Sequence, residues 1–441
     1  MNREGISMTN DQGTPSISEA MPLVRETRID NGMRIVSLTP GEGPASETVS
    51  DVAVFQMRLM AGSALDGDLP GLGRFTTSML SRGSAGKNLE TIADELDSLG
   101  ATLGFGCGRL TIDGTTKSLA ADVDTILGYL ADAFRKPDFP DDQIEIVRGQ
   151  MLSGLRQAEN STRAMANRTM RELVYPEGHP FHTRASGTIE SVTAIDRAAL
   201  VRFHEQAFQP SGAIVAVAGG IDRDAAVALV EKHFGDWRGS PPEIEIPTVE
   251  PPAEQRREDG TLPGKTQADL AIGLPAIHRL HPDYYALSVA NLIIGRFGLY
   301  GRLGESVRER QGMAYYAYSQ LQSGKQLGLW IVNAGVAPDN IDRAIESIIA
   351  EVEGFNEGGP TEREFADSTG SILGSIPLGL ETSGSQAATA GDIAFHDLGH
   401  DYLQRYRDII RALTPEQITE AARTHLDMGR LTVAVVGPEV G

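Results

Sequence analysis

The sequence predicts an α+β fold made of two homologous α/β-sandwich halves, each a mostly antiparallel sheet packed with helices, joined by a proline-rich linker. Three observations predict it. At 441 residues the chain is too long for one ordinary hydrophobic core. A stretch from Gly239 to Gly264 near the middle holds Pro241, Pro242, Pro247, Pro251, Pro252 and Pro263, and prolines at that density stiffen a connection and prevent regular pairing. Each half also closes in the same order: a helix, a short polar turn, and an apolar strand before a glycine. These strands are Ala213–Ala218 before Gly219, and Leu431–Val436 before Gly437. The organisation expected is a disordered segment over 1–22, a first domain over 23–240, a linker over 241–264 and a second domain over 265–441.

In the first half, Arg25–Asp30 and Met33–Leu38 flank Asn31-Gly32, a dipeptide suited to a hairpin turn. Val52–Met60 alternates, with Ala53, Phe55, Met57 and Leu59 on one face and Gln56 and Arg58 on the other, the pattern of a half-buried strand. Ile92, Leu96 and Leu99 mark a helix that Gly100 ends. Ala101–Lys117 reads as a long strand or hairpin, and Val123, Ile126, Leu127, Leu130 and Phe134 line one helical face. Beyond Pro137 and Pro140, Asp141 to Val174 is helical with a break expected near Asn160-Ser161. Tyr175–Phe181 is a loop, and Asp196–Gln206 is helical again.

The second half begins with a strand at Gln267–Leu274 and a helix at His281–Ile294. Strands follow at Met313–Gln322 and Leu327–Val336. Ile341, Ile345, Ile348, Val352 and Phe355 mark an amphipathic helix, and Thr414-Pro415 has the N-cap and first-turn order of a helix start.

Composition narrows the function. A net charge of −21 argues against nucleic acid as the main partner, because phosphate binding wants a basic surface. The single cysteine, Cys107, permits neither an internal disulfide nor a Cys-rich zinc site. No stretch has the length and apolarity of a membrane span, and Met1 to Pro15 lacks the order of a secretory signal. A cytoplasmic location is expected, or a periplasmic one if the start was trimmed.

The chain is organised around Gly71-Leu72-Gly73-Arg74-Phe75-Thr76-Thr77-Ser78-Met79-Leu80-Ser81-Arg82-Gly83-Ser84. Taken alone, these residues describe an amphipathic helix followed by a glycine turn. With the rest of the chain they resemble the signature of the pitrilysin/insulinase family of zinc peptidases, the inverzincins. That signature is a glycine-rich approach, a helix bearing His-x-x-Glu-His, then Met-Leu and a Gly-Ser or Gly-Thr stop. Two histidines on one helical face hold zinc, and the glutamate between them deprotonates the bound water. Arg74, Thr77 and Ser78 stand where the motif places those three residues. A guanidinium has no lone pair to give, and an uncharged hydroxyl is a poor zinc ligand. The family's third ligand is a glutamate on the long helix before a loop resembling Tyr175-Pro176-Glu177-Gly178-His179-Pro180-Phe181. Counting forward from Thr77 and back from Tyr175 both reach Gly154. On this resemblance the chain itself holds no zinc.

The second half keeps a different motif. Gly301-Arg302-Leu303 followed by Ser306-Val307-Arg308-Glu309-Arg310-Gln311-Gly312-Met313-Ala314-Tyr315 resembles the family segment in which an arginine and a tyrosine face the zinc. The resemblance implies that Arg308 binds a substrate carbonyl and Tyr315 helps stabilise the oxyanion, both being donors suited to developing negative charge. Gly295, Gly298 and Gly301 belong to a glycine loop, Gly295-Arg296-Phe297-Gly298-Leu299-Tyr300-Gly301. In the two-chain processing peptidases of the family a longer loop at this place, on the subunit without zinc, helps select substrate.

Other candidates fail. His396 and His400 have helical metal spacing, but Gly399 weakens a helix there. His204-Glu205 opens a His-Glu-x-x-His pattern that Phe208 breaks. There is no Gly-x-Ser-x-Gly elbow. The expected function is that of a zinc-free subunit of a heteromeric metallopeptidase, inactive alone, which supplies Arg308 and Tyr315 to a homologous zinc-bearing partner for peptide hydrolysis. The alternative is a catalytically inert pseudopeptidase serving as a structural or peptide-binding subunit.

Overall fold

The computed structural model of the protein describes residues 21–39, 51–326 and 328–439. Most of the N-terminal segment expected to be disordered, 1–20, lies outside the described residues.

The first half holds β1 (Leu23–Arg28), β2 (Arg34–Thr39), β3 (Val52–Leu59), β4 (Thr102–Cys107), β5 (Ile112–Leu119) and β6 (Ile214–Gly219), in the sheet order β1-β2-β6-β3-β5-β4. The second holds β7 (Arg256–Thr261), β8 (Ala268–Ala276), β9 (Ala314–Ser323), β10 (Gly328–Val336) and β11 (Thr432–Gly437), in the order β9-β10-β8-β11-β7. In each sheet one pair is parallel, β2 with β6 and β7 with β11, and the remaining pairs are antiparallel. Starting from the parallel pair, β2-β6-β3-β5-β4 and β7-β11-β8-β10-β9 have one order and one sense. The halves are two copies of one plan, and β1 is an addition to the first.

One strand of that plan lies inside the stretch expected to be linker. All six residues of β7 are exposed, and Arg256, Arg257, Glu258 and Asp259 lead it. A charged, exposed strand at a sheet edge has no apolar alternation to reveal it; its pairing with β11 makes it a strand.

Ten helices matter for the site. In the first half they are α1 (Leu72–Met79), α2 (Val123–Arg135), α3 (Asp141–Glu159), α4 (Thr162–Val174) and α5 (Arg197–Ala207). In the second they are α6 (Tyr284–Gly295), α7 (Phe297–Leu303), α8 (Ile341–Gly358), α9 (Ser383–Phe395) and α10 (Pro415–His425). Each sheet turns one face to helices of its own half. Phe55, Met57 and Leu59 of β3 pack with Phe75 and Met79 of α1 and with Leu130 and Phe134 of α2. In the second half Trp330 and Ile272 pack with Leu287 and Ile293 of α6 and with Ile348 and Phe355 of α8.

The opposite faces are covered reciprocally. Ala166, Met170 and Val174 of α4 lie on Ala271, Ile331, Ala434 and Val436 of the second sheet. Ala387, Ala390, Ile393 and Ala394 of α9 lie on Val36, Val54, Ile214 and Ala216 of the first. The break between α3 and α4 makes this crossing possible. The chain leaves α3 at Asn160, and the Ser161 hydroxyl accepts a hydrogen bond from Ala164 N at 3.3 Å to start α4. Because helices cover both faces, β8 reads as a nearly continuous apolar run. Among the described residues no helix is long and apolar enough to cross a membrane.

Candidate functional site

The approach to α1 is fixed by one carboxylate. Gly71 has a left-handed backbone, φ 97°, as helix N-cap, a conformation that glycine adopts without steric cost. Asp66 accepts hydrogen bonds from Gly71 N at 2.6 Å and Gly73 N at 2.8 Å, satisfying amides around the helix start that have no partner within the helix. Burial pushes the Asp66 carboxyl up to about 7, against the pull of those two amides and of Arg109.

The positions of the degenerate motif hold no metal donor set. Thr77 is buried, and its hydroxyl donates to Gly73 O at 2.7 Å. Ser78 Oγ donates to Arg74 O at 2.9 Å, and Arg74 is exposed. Both hydroxyls are thus turned back onto their own helix. Gly154 lies on an exposed face of α3, where a Cβ would meet nothing within 4 Å. Cys107, at the end of β4, neighbours this helix. Burial, with the Asp66 charge, pushes its thiol up to about 12, so it stays protonated and is no nucleophile at neutral pH.

The arginine and tyrosine of the second half occupy an irregular segment. α7 leads into a π-helical turn, Gly304–Arg310, with Gln311 N donating to Ser306 O at 3.2 Å. Wide turns of this type are rare and recur at functional sites. Arg308 lies on it, partly exposed and paired with Glu309 at 3.3 Å. The chain then enters β9, where Ala314 pairs with Val336 and Tyr316 with Gly335, leaving Tyr315 as the extra residue of a bulge. Tyr315 is 82% exposed.

The next tyrosine is held. Tyr316 donates its hydroxyl hydrogen to Asp269, and the Arg163 guanidinium of α4 lies 4.7 Å from its ring centre. The bulge therefore separates a tyrosine tied into the contact between the halves from one turned outward. Alternation along the sequence cannot show this, because a bulge is defined by the partner strand.

The glycine stretch spans the end of α6, at Gly295, and most of α7, and its glycines divide by role. A Cβ on Gly295 would meet Ser319 Oγ at 2.3 Å, and one on Gly301, φ 62°, would meet Ile293 O at 2.3 Å. Close packing accounts for these two glycines. Gly298, φ 54°, faces open space. Arg302 anchors the segment from behind, with Nε 2.6 Å from Glu364 Oε1 and Nη2 2.6 Å from Glu364 Oε2.

Of the histidines singled out in the sequence, His179, His204 and His400 have hydrogen-bond partners, whereas the buried Nδ1 of His396 has none among the described residues. His179 Nδ1 accepts from Phe181 N at 2.9 Å, Nε2 faces Pro247 O at 3.1 Å, and the ring stacks on Tyr175. His204 Nε2 lies 2.8 Å from Phe134 O. His396 caps α9 and His400 lies in the following turn, so they share no helix. Among the described residues one group of donors is close enough to hold an ion, His281, Asp283 and His425. It includes none of the motif positions, and His425 Nε2 lies 2.8 Å from Asp283 Oδ2, tying the end of α10 to the start of α6.

Two models of one peptidase family match in tandem. "Insulinase (Peptidase family M16)" covers residues 45–179 and "Peptidase M16 inactive domain" covers 194–368. The chain belongs to the M16 family. It is 28% identical over 436 residues to an uncharacterized zinc protease of Mycobacterium bovis, covering 96% of this chain and 95% of the relative. It is 28% identical over 295 residues to cytochrome b-c1 complex subunit 1, mitochondrial, of Bos taurus, covering 65% of this chain and 59% of that one. Among solved structures, a peptidase M16 inactive domain from Pseudomonas fluorescens superposes with a TM-score of 0.87 at 25% identity, over 95% of this chain and 98% of that chain. A Helicobacter pylori protease shares the fold, with a TM-score of 0.84 at 18% identity, over 95% of this chain and 100% of that one. The two-half fold and the resemblance to this family are thereby borne out. The first half carries Arg74, Thr77 and Ser78 at the motif positions, and the model matched by the second half is that of the inactive domain.

Proposed function

We propose that the chain is the zinc-free subunit of a heteromeric M16 peptidase, lending Arg308 and Tyr315 to the zinc site of a homologous partner. The observation that carries this reading is the placement of Tyr315 in a β-bulge, 82% exposed, beside a tyrosine fully engaged at home. A large aromatic residue kept outside the core by an inserted residue suits a contact with another molecule. On this reading the partner supplies zinc, its water and the general base. Arg308 holds the scissile carbonyl, and Tyr315 donates to the oxygen on which negative charge develops. The closed chamber between the two subunits excludes folded proteins and admits extended peptides. The assembly is cytoplasmic and contacts neither nucleic acid nor membrane.

A second reading is favoured by the likeness to a cytochrome b-c1 complex subunit: an inert subunit that builds an assembly or holds peptide. Peptide hydrolysis separates the two, measured with this chain alone, with a homologue bearing the intact motif alone, and with the pair mixed. Activity confined to the mixture supports the shared site. Equal activity of the homologue with and without this chain leaves the structural role.

A further inference from the structure

A cleft of about 370 Å³ opens where the two halves meet. The β4–β5 turn of the first half and the β9–β10 turn of the second, equivalent elements of the repeated plan, both border it, with α4 between them. The end of β9 that reaches it is opposite to the end bearing Tyr315. Its walls are largely apolar and include Leu110, Met170, Phe181, Leu329 and Ile331, and two guanidinium groups line it, those of Arg109 and Arg171.

Among the described residues neither guanidinium is hydrogen-bonded or ion-paired to a carboxylate; Asp66 attracts Arg109, and Glu172 attracts Arg171, only at longer range. Arg109 Nη1 donates to the carbonyls of Thr183 at 2.7 Å and Pro180 at 3.3 Å, and its guanidinium lies 5.4 Å from the Phe181 ring centre. The Arg171 guanidinium has Tyr175, Arg184 and Glu172 as its electrostatic neighbours and makes no direct ion pair among the described residues. Burial, and next the charge of Arg171, bring Arg109 down to about 10 against the pull of Tyr175 and Asp66. Burial lowers Arg171, with Arg184 adding to it and Tyr175 and Glu172 opposing it. In a chain with 60 acidic residues against 39 Lys and Arg, carboxylates are in ample supply. Even so, two sheltered cations of like charge border one cavity. Sheltered charge with no carboxylate in direct contact is costly, and a guanidinium pair is suited to holding an oxyanion through charge-assisted hydrogen bonds.

We propose that this cleft binds a carboxylate borne on an apolar body, held between Arg109 and Arg171 with the apolar part against Leu329 and Ile331. The C-terminal residue of a peptide and a free N-acyl amino acid share that chemistry. The cavity is large enough for such a group, and its apolar wall distinguishes this ligand from an inorganic ion. The negative field of the whole chain also repels a phosphate dianion more than a monoanion. The site lies within this chain alone and requires neither zinc nor a partner, so its failure would leave the shared-catalysis reading untouched.

The test is calorimetric titration of the full chain with four probes. They are a pentapeptide ending in leucine with a free carboxylate, the same peptide amidated, N-acetyl-leucine, and inorganic phosphate. The proposal predicts binding of the free-acid peptide, at least tenfold weaker binding of its amide, and weaker binding of phosphate. N-acetyl-leucine matching the peptide would identify the small acid as a sufficient ligand of the same site. Arg171→Gln is expected to weaken the free acid at least tenfold and Arg171→Lys to retain part of the affinity. Thermal melting of both variants confirms that they are folded. Equal binding of acid and amide, preference for phosphate, no binding of any carboxylate at millimolar concentration, or full affinity in folded Arg171→Gln would each overturn it.

Discussion

The hydroxyl of Thr77 donates to the carbonyl of Gly73 at 2.7 Å, one turn back along α1. Where the family's motif presents a glutamate to zinc-bound water, this chain presents a side chain satisfied by its own helix. Ser78 does the same with Arg74 O. The glycine approach resembles that of the family's motif and is fixed here by the buried Asp66 carboxyl, while the metal donors are replaced.

If these positions descend from a metal site, restoring the donors should restore the metal. The quadruple variant Arg74→His, Thr77→Glu, Ser78→His and Gly154→Glu is expected to retain about one zinc per chain after dialysis, because three or four protein ligands in this arrangement suffice for the metal. Gly154 accepts the larger side chain into open space. Metal analysis of the dialysed protein checks it, with Thr77→Glu alone expected to retain none.

The glycines before the Arg/Tyr segment separate packing from flexibility. Gly295→Ala drives a methyl to within 2.3 Å of Ser319 Oγ, and overpacking of this kind costs about 1–3 kcal/mol. Gly298→Ala meets nothing but must adopt φ 54°, at about 1 kcal/mol. Chemical denaturation should rank Gly295→Ala as the more destabilised.

Two carboxylates give stability opposite dependences on pH. Burial pushes the Glu364 carboxyl up, but Arg302 and the Thr361 donors outweigh it and hold it at about 2, below the ordinary 4.5. Its stabilisation is present above pH 4.5 and is lost as pH falls towards 2. Asp66, raised from 3.8 to about 7, binds a proton more readily folded than unfolded. Its contribution is greatest below pH 3.8 and is lost as pH rises through 7. Melting temperatures across pH should therefore show a smaller decline between pH 4 and 7 in Asp66→Asn than in the parent. Arg302→Ala should lose about 2 kcal/mol at neutral pH, from its charged hydrogen bonds, and show a shallower acid limb.

Much of the fold was legible because apolar spacing and punctuation agree. The repeat of Ala213–Ala218 and Leu431–Val436 places β6 and β11 at equivalent sheet positions, and Asn160-Ser161 breaks the long helix as expected. What stayed hidden depends on partners. Amphipathicity says that α4 buries a face, and only the structure shows that the face belongs to the other half. β7 is a strand through pairing and not through pattern. Glycine content suggested a loop where α6 ends and α7 forms, because close contact with Ser319 and with Ile293 O, and not flexibility, requires Gly295 and Gly301. At the candidate site the residue types of Arg308 and Tyr315 were readable, but the bulge that turns Tyr315 outward was not. Arg109 and Arg171 come from separate elements, and no local motif joins them.

The most direct test of the central claim is the turnover of a peptide substrate by this chain mixed with a zinc-bearing homologue, comparing the parent with Tyr315→Phe. The exposed ring of Tyr315 contributes little to the core, so the variant should fold and assemble normally. A shared site predicts a fall in kcat of at least tenfold with KM little changed, which corresponds to ~1.4 kcal/mol or more of lost transition-state stabilisation. Unchanged kcat in a fully assembled mixture would contradict it and assign the chain to a structural role.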